Sequence, residues 1–208
     1  MLHTEAVDDS VLELLSFFQS KEYLKGFYLV DGTALALYFG HRKSVDIDLF
    51  SNFGFDVARL LDNINQDYPF QVSSTSVNTL RGSIGKVKTD IIAHCYQYVK
   101  EPVFVDNFFI LSEEDIVAMK LNAIMTSGQR VKDFIDIFFL LEKYDLTDML
   151  SFYKEKYNQE NEGPVLKSLV YFDDVDISDW PVMIKNPGLK WKEVMKKVES
   201  VVMRYVKS

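Results

Sequence analysis

The sequence predicts an α+β fold, in which a small mixed β-sheet flanked by helices is followed by a C-terminal helical bundle. Two observations indicate this class. The N-terminal half alternates helical and strand patterns, whereas the pattern after Ser112 is helical throughout. The 208 residues are 48% hydrophobic, with sixteen Phe and eleven Tyr, so the chain can build a sizeable core and does not have the composition of a disordered protein.

The N-terminal half begins with a helix at residues 7–18, where Val11, Leu14 and Phe18 share one face. The predicted elements that follow are a strand at 27–30, a short helix at 34–39, a strand at 45–50, a helix at 56–65, and strands at 70–77 and 84–93. The polar segment 78–83 is interpreted as the connection between the last two strands.

The helical half begins at Ser112, which with Asp115 resembles a capping box. Helices are predicted at 113–127, 129–143, 147–157, 164–171 and 190–206. A soft boundary at 101–111 divides the chain into a sheet-containing core, residues 1–105, and a helical domain, residues 106–208, which completes a cleft between them.

Composition excludes several classes of protein. No apolar run is long enough to span a bilayer, and the N-terminus lacks signal-peptide features, so we expect a cytoplasmic protein without a membrane partner. A net charge of −8 argues against bulk nucleic-acid binding. The segment 185–208 is locally basic, either as a docking surface or as a solvated helix face. The single cysteine, Cys95, is expected in the core or at its boundary.

The most informative pattern is a pair of aspartates, Asp46 and Asp48, that alternate with Val45, Ile47 and Leu49. On a strand, side chains two residues apart leave the same face, so the two carboxylates share one surface. A divalent cation would remove their repulsion and use them as oxygen ligands. The alternative is the solvated face of an edge strand.

A Gly-Thr turn, Gly32 and Thr33, precedes this strand and opens the short helix. Gly32 would let the backbone approach a ligand, and the helix N-terminus would face an anion; the alternative is an ordinary helix start. Asp90, on a later strand, is either a third metal ligand or an exposed strand residue.

Two polar anomalies mark the helical half. Lys120 lies in the middle of an apolar helical stripe, so it must reach solvent, meet a carboxylate, or face a cleft that holds an anion. In the next helix, Asp133 and Asp136 share a face of an otherwise apolar segment, which is either a cleft wall or the protein exterior; Asp136 could form a surface pair with Lys132.

These residues lie in segments that resemble the AbiEii-type nucleotidyltransferase family. The segments are YLVDGTALAL (28–37), GHRKSVDIDLF (40–50), AMKLNAI (118–124), RVKDFID (130–136) and LKSLVYFDD (166–174). The family belongs to the polymerase-β-like nucleotidyltransferase superfamily, and the resemblance covers most of the chain.

The resemblance implies roles for particular residues. Asp46 and Asp48 would bind metal, with Asp90 as the third carboxylate, and two Mg²⁺ ions are expected. Gly32, Thr33, Lys120, Lys132 and Asp136 would form the nucleotide site. Asp46, Asp48, Lys120 and Asp133 would be the catalytic residues.

The resemblance also implies a function. The chain would transfer a nucleotide from an NTP to an acceptor, with tRNA or another RNA as the suggested acceptor, and act as a toxin with a cognate antitoxin. One departure is Asp31, where relatives usually have a small residue; its carboxylate adds negative charge beside the expected triphosphate. The alternatives are therefore a non-catalytic nucleotide-binding or interaction module of the same fold, and an enzyme that modifies a small-molecule hydroxyl.

Overall fold

A computed structural model describes residues 1–207 and shows one seven-stranded mixed sheet with eight α-helices, which confirms the predicted class. The strands are β1 (Tyr28–Leu29), β2 (Ile47–Ser51), β3 (Gln71–Ser76), β4 (Thr79–Ile84), β5 (Val87–Ala93), β6 (Val103–Val105) and β7 (Phe108–Ile110). Their order across the sheet is β3-β4-β5-β2-β1-β7-β6. The pairs β2–β5 and β1–β7 are parallel, and the other pairs are antiparallel.

The helices pack in two groups. The helices are α1 (Asp9–Gln19), α2 (Asp31–Phe39), α3 (Val57–Asp67), α4 (Glu113–Thr126), α5 (Val131–Leu140), α6 (Leu146–Tyr157), α7 (Gly163–Leu169) and α8 (Trp191–Lys207). Helix α4 packs against α5, α6 and α7 in the C-terminal bundle, and α2 joins this bundle to the sheet by contacting both α4 and α5. The junction between sheet and bundle therefore lies at α2, immediately after β1.

The sequence prediction missed β4, which occupies the segment interpreted as a polar connection. Its inward positions are Leu80, Gly82 and Ile84, all buried, so the two-residue alternation is present but interrupted by a glycine. A Cβ at Gly82 would lie 2.2 Å from the Gln71 carbonyl oxygen, so the close approach of β3 explains why the apolar pattern is broken there.

A second omission is the β6–β7 hairpin. Asp106 and Asn107 both have positive φ, 48° and 71°, as a two-residue hairpin turn requires. Strand β7 pairs with β1, so the sheet continues to Ile110. The domain boundary after residue 105 stays a prediction, and it falls in the turn of this hairpin.

The five C-terminal helices agree closely with the prediction, and the Ser112 cap is confirmed. The Ser112 hydroxyl accepts from the Asp115 amide at 3.1 Å and donates to the Asp115 carboxylate at 2.7 Å. Asp115 is fully buried and pairs with Lys156 of α6 at 2.6 Å. Cys95, in contrast, is exposed, contrary to the prediction. Within residues 1–207 no helix is both long and apolar enough to cross a membrane.

A segment between α7 and α8, with a short 3-10 helix at Ile177–Asp179, bridges the bundle and the loop before β2. We call residues 175–185 the strap. At one end the Asp176 amide donates to the Gln129 carbonyl at 2.9 Å. At the other end the Lys43 amide donates to the Val182 carbonyl at 2.8 Å, and the Ile184 amide donates to the His41 carbonyl at 2.9 Å. The strap is therefore fixed at both ends across the junction.

Candidate active site

A cleft of about 180 Å³ lies at the junction of the sheet, the bundle and the strap. Its walls come from the start of α2, the loop before β2, the start of α5 and the strap. The lining residues are Asp31, Gly32, Thr33, Arg42, Lys43, Ser44, Val45, Asp46, Asp48, Arg130, Lys132, Asp179, Trp180, Pro181 and Val182. The cleft thus contains the aspartate pair, the Gly-Thr turn and Lys132, as the sequence predicts.

Asp48 lies on β2, directly opposite Asp90 of the parallel strand β5. Burial raises the pKa of Asp48 to about 8, with further contributions from the carboxylates of Asp31, Asp90 and Asp46 and an opposing one from Lys88. Asp31, Asp46 and Asp48 line the cleft and Asp90 lies beside Asp48 on β5, so a proton or a cation is needed to compensate the charge of Asp48.

Asp90 is buried, at 7% exposure, so the alternative that it is an exposed strand residue is wrong. One of its oxygens lies 3.6 Å from both Arg81 Nε and Lys88 Nζ, whereas the other, Oδ1, is buried and has no hydrogen-bond partner. An unpaired buried carboxylate oxygen is costly unless a further ligand satisfies it. This oxygen and the raised pKa of Asp48 both fit a divalent cation at this end of the cleft.

Among residues 1–207 no group of three or more His, Cys, Asp or Glu side chains is arranged as a metal cage. Mg²⁺ usually binds one or two protein carboxylates together with water and substrate phosphates, rather than a complete protein cage. The aspartate pair is therefore suited to a cation that arrives with a phosphate-containing substrate.

The Gly-Thr turn positions the aspartates. The Val30 amide donates to the Asp48 carbonyl at 3.0 Å, which places the start of α2 beside β2. The Thr33 hydroxyl donates to the Asp46 carbonyl at 2.6 Å and lies 2.8 Å from the Ser44 hydroxyl. Thr33 therefore fixes the backbone of the loop that carries Asp46.

The structure shows why a glycine is required at position 32, which the sequence alone does not reveal. A Cβ at this position would lie 2.4 Å from Nη2 of Arg42. The absence of a side chain admits the Arg42 guanidinium beneath α2, where it reaches α5.

Behind the cleft lies a buried ion cluster of Lys120, Asp133, Asp136 and Arg42, to which Asp31 adds a partly exposed carboxylate. Lys120 Nζ lies 2.6 Å from Asp133 and 3.0 Å from Asp136, and it also forms an ion pair with Asp31. Arg42 donates to both oxygens of Asp136, at 2.7 Å from Nε and 2.9 Å from Nη2. Two cations and two aspartates, each at most 4% exposed in their side chains, thus balance in the interior.

The cluster keeps Asp136 and Lys120 ionised. Burial alone would raise the pKa of Asp136, but Arg42 and Lys120 hold it well below its usual range. Burial likewise opposes the charged form of Lys120, yet Asp133, Asp31 and Asp136 raise the pKa of its ammonium. His41 Nε2 donates to the ionised Asp136 carboxylate at 2.8 Å, and burial lowers the pKa of the His41 ring.

The sequence left three possibilities for Lys120: it reaches solvent, meets carboxylates, or faces a cleft that holds an anion. In the structure it meets carboxylates. Lys120 is 1% exposed and absent from the cleft surface. Asp133 and Asp136 are also buried, so the direct catalytic and nucleotide contacts implied for these three residues are not available in this conformation. The two members of the cluster that line the cleft are Asp31 and Arg42, and both contact these buried residues.

Lys132 does not pair with Asp136, so the surface pair suggested by their spacing is wrong. Its ammonium lies 2.7 Å from Asp179 of the strap. Arg130, half-exposed beside it, lies 3.5 Å from Asp31. Both cations line the same cleft as Asp46 and Asp48.

Sequence reasoning missed Arg42, Arg130 and the strap residues Asp179 and Trp180. Two buried aspartates on α5 require cationic partners, and this requirement was a signal that could have pointed to Arg42. Arg42 lies 94 positions before Asp136, however, so spacing in the sequence did not connect them. The strap has no periodic pattern, so no signal in the sequence placed it over the cleft.

Comparisons with known proteins identify the family of this chain. Residues 14–204 match the family model described as nucleotidyl transferase AbiEii toxin, type IV toxin–antitoxin system. The chain belongs to the AbiEii nucleotidyltransferase toxin family. An uncharacterized protein of Aquifex aeolicus is 33% identical to this AbiEii family member over 158 residues, which are 71% of this chain and 74% of the relative.

Two solved structures share the AbiEii family member's fold. JHP933 from Helicobacter pylori is 18% identical, with a TM-score of 0.56, and the match covers 95% of this chain and 92% of that protein. MenT4, a nucleotidyltransferase toxin from Mycobacterium tuberculosis, is 13% identical, with a TM-score of 0.57, and the match covers 91% and 83%. At these identities the likeness establishes the fold alone.

Proposed function

We propose that this AbiEii family member transfers a nucleotide from an NTP to an RNA acceptor, such as a tRNA, in a reaction that depends on a divalent cation, and that it acts as a toxin with a cognate antitoxin. The observation that carries the proposal is the cleft itself. It brings together the carboxylates of Asp46 and Asp48 and the cations Arg130 and Lys132 from opposite halves of the chain.

Asp46 and Asp48 would hold the cation, with Asp90 as the neighbouring carboxylate on β5. Mg²⁺ bound there, as one or two ions, would neutralise phosphate charge and lower the pKa of an attacking hydroxyl. Arg130 and Lys132 would bind phosphate oxygens and stabilise the negative charge of the leaving pyrophosphate. Gly32 and Thr33 would present the start of α2 to the same phosphates.

Lys120 acts on this site as a positioning residue, since it touches Asp31 and not the cleft. Asp31 has φ +58°, a left-handed conformation that favours glycine, and Lys120 and Arg130 compensate its charge. Burial would raise the pKa of Asp31, but these two cations lower it. The departure at Asp31 therefore does not place an unpaired carboxylate beside the phosphates.

An RNA acceptor is supported by the charges around the aspartates. Arg81 and Lys88 are half-exposed on β4 and β5 beside Asp90, and Lys43 and Arg130 are partly exposed at the cleft. In a chain of net charge −8, these cations would give local attraction for a polyanion close to the reacting groups.

The decisive experiment incubates the purified protein with each α-labelled NTP, Mg²⁺ or Mn²⁺, and total RNA. We expect label on RNA with at least one NTP, and a loss of at least about 100-fold in Asp48→Asn, because metal-assisted charge stabilisation is worth several kcal/mol. Asp62→Asn, which removes an exposed carboxylate on α3, is the matched control and should remain active.

Three outcomes contradict the proposal. Label on an added antibiotic or other small hydroxyl compound, with none on RNA, would identify a small-molecule acceptor. NTP binding without transfer to any acceptor would identify a non-catalytic module. Equal transfer by wild type and Asp48→Asn would remove the aspartates from the mechanism.

A further inference from the structure

We propose that Trp180 of the strap is the residue on which the base of the incoming nucleotide stacks. The inference rests on the proposed function, and it adds a binding residue that neither the sequence motifs nor the family assignment indicates.

The strap holds Trp180 over the cleft from two fixed points. Asp176 is tied to Gln129, just before α5, and Val182 is tied to Lys43, just before β2. Between these points the Lys132–Asp179 ion pair, at 2.7 Å, joins the strap to α5. Trp180 is the residue after Asp179, so its position relative to the cleft is set by three separate contacts.

Trp180 is half-buried, packs in part against the core and lines the cleft. None of the aromatic ring pairs within residues 1–207 includes it. The other tryptophan, Trp191, differs in this respect, since it packs edge-on against Phe134 and Phe172 with ring centroids 5.7 and 5.6 Å apart. An indole without a ring partner, placed on a cleft wall, is available to a flat ligand.

The cleft has three chemical zones that correspond to the parts of an NTP. Asp46 and Asp48 form the acidic zone for a metal ion, and Arg130 and Lys132 form the cationic zone for phosphates. The strap contributes the apolar zone, in which Trp180 is followed by Pro181 and Val182. Of the parts of an NTP, only the base has a flat apolar face, and base stacking on an aromatic side chain tolerates any base.

The size of the cleft is consistent with a base at its edge. Its volume of about 180 Å³ is below the ~300 Å³ at the lower end of ligand pockets, so the cleft is too small to enclose a whole NTP. If the phosphates are bound inside, the base lies at the edge, against the strap. Phosphates that engage Lys132 would also compete with Asp179, the contact that now holds the strap on α5.

The test uses the two tryptophans of the chain. In Trp191→Phe, Trp180 is the only remaining tryptophan, and its emission is recorded during titration with ATP and, separately, with inorganic tripolyphosphate, each with Mg²⁺. We expect ATP to quench the emission more strongly than tripolyphosphate does at saturation, because only ATP carries a base.

Calorimetric titration of Trp180→Ala should then show ATP binding about five to 150 times weaker than in wild type, the range expected for one stacked base. Tripolyphosphate affinity should be unchanged, and Trp180→Phe should retain most of the ATP affinity. Urea unfolding of each variant establishes that the strap substitution leaves the fold intact.

Unchanged ATP affinity in Trp180→Ala would overturn this inference and leave the proposed function in place. Equal weakening for ATP and tripolyphosphate would also overturn it, since Trp180 would then support the cleft rather than contact a base. A wild-type protein that binds none of ATP, CTP, GTP, UTP and tripolyphosphate would instead contradict the proposed function, and the stacking inference with it.

Discussion

Asp136→Asn tests the buried ion cluster that joins the two halves of the protein. Asp136 accepts hydrogen bonds from Arg42 at 2.7 and 2.9 Å, has His41 Nε2 at 2.8 Å, and lies 3.0 Å from Lys120. Asparagine has nearly the same shape, but it carries no charge and has one acceptor oxygen in place of two. Lys120 keeps Asp133 and Asp31 as partners, but the substitution removes the carboxylate to which the buried Arg42 guanidinium donates, and within residues 1–207 no other carboxylate forms an ion pair with Arg42.

Breaking a buried ion pair by removing one partner costs about 3–5 kcal/mol. Since domains are stable by about 5–15 kcal/mol, the variant should lose a large part of its stability. With a urea m-value of about 2 kcal/mol/M, the unfolding midpoint should fall by roughly 1.5–2.5 M. Equilibrium urea unfolding at pH 7, followed by circular dichroism, measures this shift.

The control for this experiment is Asp179→Asn, which breaks the more exposed pair with Lys132. Exposed pairs contribute at most about 1 kcal/mol, so its midpoint should fall by less than about 0.5 M. If Asp136→Asn lost no more stability than this control, the cluster would not be what holds α2, α4 and α5 together.

Three further predictions concern the cleft. In the metal-free protein the pKa of Asp48 is about 8, against about 3.9 in the unfolded chain, so its contribution to stability is fully present below pH 4 and is lost as the pH rises through 8. Asp48→Asn should therefore become more stable relative to wild type from pH 5 to pH 8 in EDTA. A pH-independent difference between the two proteins in denaturant unfolding would contradict this. Asp179→Asn should tighten NTP binding by up to about fivefold in calorimetry, because it frees Lys132, and weaker binding would show that the strap contact assists the nucleotide. Gly32→Ala should cost about 1–3 kcal/mol in urea unfolding, because its Cβ would lie 2.4 Å from the Arg42 guanidinium, and a neutral result would mean that Arg42 can move aside freely.

The fold was largely predictable because its elements have strong periodic patterns and recognisable caps. The C-terminal helices and the Ser112 cap follow from local sequence alone. Strand β4 was missed because Gly82 interrupts its apolar alternation, and that glycine is required by the approach of a neighbouring strand, which is a tertiary fact. The β6–β7 hairpin did carry a local signal, its Asp106-Asn107 turn, which the sequence prediction did not use.

The candidate site was predictable in its residues but not in its contacts. Asp46 and Asp48 could be located because their alternation with apolar residues predicts one shared face, and both line the cleft although Asp46 lies in the loop before β2. The contacts of Lys120 could not be predicted, because an apolar stripe indicates that a lysine is buried but does not show which carboxylates it contacts. Those carboxylates are Asp31, 89 positions before it, and Asp133 and Asp136, 13 and 16 positions after it, and only the folded junction brings them together.

The central claim is that Asp46 and Asp48 bind a divalent cation together with an NTP. It is tested most directly by titrating the protein with Mn²⁺ in the presence and absence of NTP and recording bound Mn²⁺ by electron paramagnetic resonance. We expect Mn²⁺ binding that strengthens with NTP and that falls at least about tenfold in Asp48→Asn, while Asp62→Asn binds as wild type does. Equal Mn²⁺ binding by wild type and Asp48→Asn, with or without NTP, would contradict the account.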